Sequence, residues 1–217
     1  MAAVRVVLEI GAKRVFASAL DWPGWSRGGK TSELALQALE AYSERYEPVA
    51  RFAAAALPKR LEFDVVERQQ GDASTDYGVP HAPAKAESAP MTKPELERMC
   101  SLVDGCWREL DRIAKKAPLE LRLGPRGGGR NRDKILAHVV GAEASAYAPK
   151  LGLKIPEPAI DDRKAITAMR HELLEAFRRG ADGKPLRERG WPVRYGARRI
   201  AWHVLDHAWE IEDRSEQ

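Results

Sequence analysis

The period of the hydrophobic pattern changes once along this chain, and it changes across a segment that has no period. Residues 70–91, which begin QGDASTDYGVPHAPAKAESAP, are rich in Ala, Pro, Gly and Ser and read as a linker. Before it, apolar residues alternate as in strands; after it, every apolar run repeats at helical spacing. A chain written this way is constrained to an α+β unit at 1–69 and an all-helical unit at 92–217.

In the first unit, VRVVLEI (4–10) and KRVFASAL (13–20) alternate around Gly11-Ala12, a hairpin signal. DWPGWSRGGK reads as a turn-rich connection. Thr31 or Ser32 then caps a helix that has Glu33 in its first turn. Pro48 is expected to kink or end that helix, and LEFDVVERQ (61–69) to return as a strand. The order β-β-α-β implies a small antiparallel sheet with its helix on one face.

The second unit holds four helical stretches. Thr92, with Pro94 and Glu95 behind it, opens a helix to about Lys116. Others cover 132–148, 161–179 (closed by Gly180) and about Val193 to Arg214. Joined by loops of this length, they read as an up-down-up-down four-helix bundle.

Composition sets outer limits. With 217 residues, 44% of them apolar, the chain can build a real core. No apolar run approaches a membrane span, and MAAVRVVLEI lacks the pattern of a secretory signal. Cys100 and Cys106, six apart in one helix, fit neither a metal nor a redox pair. A reduced, cytoplasmic setting is therefore expected.

Five histidines remain to be placed. At about 100° per residue, Ile200, Val204, Ala208 and Ile211 mark the buried stripe of the fourth helix. His207 falls inside this stripe and His203 at its edge. On the second helix Ile135, Val139, Ala142 and Ala146 mark the stripe, and His138 sits at its edge in the same sense. In the expected topology these helices run parallel, so the three imidazoles meet at similar depth. Three neutral imidazoles with free positions suit a divalent metal such as zinc, nickel or iron. A single histidine is more often a core or surface residue with its own hydrogen bond, and it is the convergence that argues for metal. His171 points off its helix's apolar face, and His81 lies in the linker; both are assigned to solvent.

The pair of motifs DKILAHVVGAEASAY and RRIAWHVLDHAWEIEDR resembles the DinB-like, YfiT-like superfamily of metal-binding four-helix bundles, over residues 92–217. The resemblance implies that His138, His203 and His207 are the metal ligands. VVLEIGAKRVFASALDWPGWSRGGKTSELALQALEAY is similar to the HicB-like antitoxin fold, over roughly residues 4–68. Such antitoxins usually continue into a DNA-binding module, and here a helical unit follows instead.

The superfamily includes transferases and isomerases that use a low-molecular-weight thiol. The resemblance therefore implies a metal-dependent enzyme, in particular a thiol-dependent S-transferase acting on small electrophiles. The alternative is a non-catalytic, metal-stabilised protein whose HicB-like unit binds a protein partner. Arg outnumbers Lys, and the loops at the expected metal end contribute Arg122, Arg126, Arg130, Arg187, Arg189 and Arg194, with Arg132, Arg198 and Arg199 near the helix starts. From these, Arg130, Arg194 and Arg198 are the candidates to bind a small anionic or thiol-containing molecule. Glu143 falls in an apolar stripe and needs a partner, either Arg198 or Arg199, or a place in the metal's outer shell. Glu210 is assigned to the surface. A second copy of the chain is a further expected partner. Nucleic acid is not expected, because the arginines are not interleaved with an aromatic platform.

Overall fold

The computed structural model describes residues 3–124 and 129–215. Four strands, β1 (Val4–Ile10), β2 (Val15–Ala19), β3 (Ser26–Gly29) and β4 (Phe63–Gln70), form one sheet in the order β3-β2-β1-β4. β1 and β2 make the expected hairpin, with Val6 opposite Ala19 and Ile10 opposite Val15. β4 instead lies parallel to β1, so the sheet is mixed rather than antiparallel. The crossover that parallel pairing requires is supplied by α1 (Ser32–Ala41) and α2 (Ser43–Phe52). β3 comes from the stretch read as a turn. Its residues Ser26, Arg27, Gly28 and Gly29 have no apolar alternation, and the strand exists through its backbone ladder to β2.

The segment at 70–91 is folded. It contains α3 (Ala73–Tyr77), capped reciprocally by Asp72 and Thr75, and a 3₁₀ turn at Lys85–Ser88. Carboxylates of the sheet hold it down. Glu9, buried, accepts from the Thr75 hydroxyl at 2.6 Å and from the amides of His81 and Ala82 at 3.0 and 3.1 Å. Glu67 accepts from the amides of Lys85 and Ala86, each at 2.9 Å. Order that comes from polar contacts leaves no hydrophobic period to read.

Four long helices follow or end this segment: α4 (Lys93–Lys116), α5 (Arg132–Gly141), α6 (Arg163–Arg179) and α7 (Val193–Ser215). The signals read from sequence are in place. Thr92 and Glu95 form a capping box and Gly180 follows α6. The structure adds a cap not read from sequence, Asn131, which accepts from the Lys134 amide at the start of α5. α7 packs against α4, α5 and α6. α5 does not run on to 148 as a regular helix; it widens into a π turn at Ala142–Tyr147 and tightens into a 3₁₀ turn at Ala148–Leu151. The wider turn shifts the helical phase. Ala146, expected inside, is exposed, while Glu143 and Tyr147 are buried.

One hydrophobic cluster runs from Val4 and Leu8 of the sheet through α4 to Ile211 of α7. Two glycines allow this close fit. At Gly105 of α4 a Cβ would lie 2.7 Å from the Val49 carbonyl oxygen of α2. Gly24, at φ +92°, brings the Trp22–Trp25 turn so near α7 that a Cβ would lie 2.7 Å from Leu205. The break between α1 and α2 falls at Tyr42, whose ring meets Trp209 of α7 edge-on at 5.0 Å. Pro48 was expected to interrupt the helix and instead lies within α2. Among the described residues, no helix is long and apolar enough to cross a membrane.

Candidate metal centre

α5 and α7 bring His138, His203 and His207 together. One ring nitrogen from each lies within 4.8 Å of the other two. The Nε2 atoms of His138 and His203 are 3.2 Å apart, and the three ring centroids are 4.7–5.0 Å from one another. Two nitrogens bound to one zinc-like ion at ~2.0–2.1 Å would lie about 2.9–3.4 Å apart, from right-angle to tetrahedral geometry. The observed pair already has that spacing.

The protonation states suit ligation. Burial pushes the His138 imidazole below its ordinary range, with His207 and Arg130 adding to the effect. Burial pushes His203 down to about 2, with smaller contributions from His207, Arg199 and His138. Both rings are therefore neutral at physiological pH, with a lone pair to offer. His207 is fixed by its other nitrogen: Nδ1 lies 2.8 Å from Glu210, whose second oxygen accepts from Arg214 at 2.7 Å. The hydrogen bond from His207 is the leading cause that holds the Glu210 carboxyl below its usual range. A metal-binding histidine commonly donates its second nitrogen to a carboxylate, which sets tautomer and ring orientation. Glu210, assigned to the surface from sequence, has this position.

Other assignments also change. Arg194, 8% exposed, pairs with Asp21 at 3.1 Å. Arg198, 4% exposed, pairs with Glu87 at 2.5 Å and also donates to the Ala82 carbonyl at 3.0 Å. Both tie α7 to the preceding chain through these ion pairs, so their charges are met by the protein itself, although Arg194 Nε has no partner among the described residues. Tyr195, on the same stretch, donates its hydroxyl to the His81 carbonyl. Arg130 is exposed, and its charge is felt at His138 and His203. Arg122 donates to the Asp213 carbonyl, Arg132 pairs with Asp133, Arg187 donates to the Pro149 carbonyl and Arg189 is exposed. Arg126 lies outside the described residues.

Glu143 has neither Arg198 nor Arg199 as its partner, and no histidine. It accepts from Trp107 Nε1 at 2.6 Å and from Arg170 at 3.2 Å, in a fully buried cluster. Burial still raises its carboxyl above the ordinary range, against the pull of both partners. Its burial agrees with its place in the apolar stripe, and its partners come from α4 and α6. His171 is solvated as expected. Cys100 and Cys106 are free, and burial raises both thiols, Cys100 to about 12, so neither is a reactive thiolate.

A cleft of about 650 Å³ opens beside Glu210. Its walls include Asp206, Trp209 and Arg214 of α7, but also Arg27 of β3 and Tyr42 between α1 and α2. Arg27 stacks 3.9 Å from the Tyr42 ring centroid and reaches Asp206 at 3.4 Å. The sheet unit thus forms one side of this cleft, and Glu210, the partner of His207, lies on another. The chain matches no protein-family model, no curated protein and no solved structure.

Proposed function

We propose that the protein is a metal-dependent enzyme of the DinB-like kind, an S-transferase that joins a small thiol to an electrophile. In this reading the four long helices are the metal-binding bundle and the sheet unit is a HicB-like appendage that walls the cleft. The convergence of three histidine ligand atoms within 4.8 Å carries the proposal. His138, His203 and His207 would hold zinc, nickel or iron, with Glu210 fixing the His207 ring and Tyr147 packed 5.5 Å from His203. A metal there supplies a Lewis acid that favours the thiolate form of a coordinated thiol. The chain's residues supply the rest: neutral nitrogens held ready, and an aromatic wall of Tyr147 and Trp202 beside His203.

Metal-dependent melting tests this. A ligand that binds only the folded state stabilises by about 2.7 kcal/mol at a hundredfold and 4.1 at a thousandfold excess over Kd. Protein purified without a tag should melt higher with added metal and lose that increment to a chelator. His207→Ala should show no metal-dependent shift and no metal-dependent consumption of thiol in the presence of an alkylating electrophile. Identical responses from wild type and variant would remove the proposal.

A further inference from the structure

α7 carries five buried donor atoms that no described residue satisfies: Arg194 Nε, Arg199 Nη1, Trp202 Nε1, His203 Nδ1 and Trp209 Nε1. Arg199, Trp202 and His203 stand at i, i+3 and i+4, the spacing that puts side chains on one helix face, and these three adjoin the histidine cluster. With His203 Nε2 turned to His138 at 3.2 Å, Nδ1 carries the N–H whenever Nε2 is a ligand. Each remaining guanidinium of this helix has a carboxylate: Arg194 has Asp21, Arg198 has Glu87 and Arg214 has Glu210. Arg199 alone has none among the described residues.

Its surroundings place it at the histidine cluster. The Arg199 guanidinium carbon is 4.7 Å from the Trp202 ring and 5.3 Å from the Tyr147 ring. Those same two rings lie 6.4 and 5.5 Å from the imidazole of His203. The cation and the imidazole therefore share one aromatic wall, about one helical turn or 6 Å apart along the axis. A buried donor left without an acceptor costs about 1–3 kcal/mol, and more when it is charged. Arg199 as a whole is half-buried, so solvent reaches part of its guanidinium, while the inward Nη1 has neither an acceptor nor a carboxylate among the described residues. An oxyanion answers both, since the planar fork of a guanidinium matches carboxylate, sulfonate or phosphate oxygens.

We infer that Arg199, with Trp202 and His203 beside it, anchors the oxyanion group of a ligand whose other end reaches the histidine cluster. This rests on the metal reading above and narrows it to thiols that carry a negative charge a short linker away from sulfur.

The test uses full-length, cobalt(II)-loaded protein titrated with 2-mercaptoethanesulfonate and with 2-mercaptoethanol. Both present a similar sulfur, and only the first carries an oxyanion. Binding is followed by the sulfur-to-cobalt charge-transfer band. Wild type should bind the sulfonate about tenfold tighter or better, equivalent to roughly 1.4 kcal/mol. Arg199→Gln should bring that ratio close to one and leave the cobalt spectrum and the neutral thiol's affinity in place. Should Arg199→Gln fail to fold, Arg199→Lys keeps the charge without the fork and should lower the ratio. A wild-type ratio near one, or a ratio unmoved by both substitutions, overturns the anchor while the metal reading stands. Absence of any cobalt spectrum in wild type overturns the metal reading, and the anchor falls with it.

Discussion

Two stripes of α7 use similar residues for different ends. Arg194 and Arg198, four apart, are buried against Asp21 and Glu87 and fasten the helix to the chain that precedes it. Arg199, His203 and His207, also spaced by four, are turned by about 100° from Arg198 and meet α5 and the aromatic wall. On the first stripe each guanidinium has a carboxylate, although Arg194 Nε has no partner among the described residues. On the second, Arg199 has no carboxylate among the described residues, and the ring nitrogens of His138 and His203 face one another. One residue of helical phase separates a structural arginine from one poised to bind, and residue type alone could not distinguish them.

If this contrast holds, the fastening stripe should respond as stability and the open stripe as binding. The largest effect belongs to Glu87→Ala. It strands Arg198 in a buried site and should cost about 3–5 kcal/mol, read by denaturant unfolding. It should also free residues 70–91 for early proteolysis, which the intact contacts of Glu9, Glu67 and Glu87 otherwise resist. The double change Glu87→Leu with Arg198→Met should recover most of the loss, because a buried ion pair often does no better than apolar residues of similar volume. Little recovery would mean that the Ala82 carbonyl, not the ion pair, is the main tie.

Glu210→Gln should act on the open stripe. It keeps the shape of the side chain but weakens the hydrogen bond that orients His207, so metal affinity should fall about 10- to 100-fold with little change in metal-free stability. An unchanged affinity would return Glu210 to the role of a surface charge. The smallest effect is reserved for His171→Gln, on an exposed face of α6. Stability should stay within about 0.5 kcal/mol of wild type, and metal binding should not change.

What could be read from sequence was local or periodic. The Thr92–Glu95 box, the hairpin at Gly11-Ala12 and the extents of α4, α6 and α7 follow from capping chemistry and spacing. An uninterrupted helix brings His203 and His207 to the inner side, but in the reverse order of depth: His203, read at the stripe edge, is buried, and His207, read inside the stripe, is half-buried. Regularity failed at the π turn after α5, where Ala146 is exposed. The burial of Glu143 was legible from its stripe, but its partners were not, because Trp107 and Arg170 lie on other helices. β3 and the strapped segment at 70–91 were hidden for a related reason. Their order comes from backbone pairing and from carboxylates distant in sequence, and neither leaves a hydrophobic pattern. The partners of Arg194 and Arg198 are distant as well, Asp21 being 173 residues away from Arg194.

In the proposed function His138, His203 and His207 act together on one ion. X-ray absorption at the metal edge of zinc-loaded protein addresses this most directly, with His203→Ala as the comparison. Wild type should hold one zinc per chain with three imidazole nitrogens at ~2.0–2.1 Å, and the variant should either lose the ion or show one fewer imidazole. A wild-type spectrum with no imidazole shell, or one identical to that of His203→Ala, would contradict the shared site.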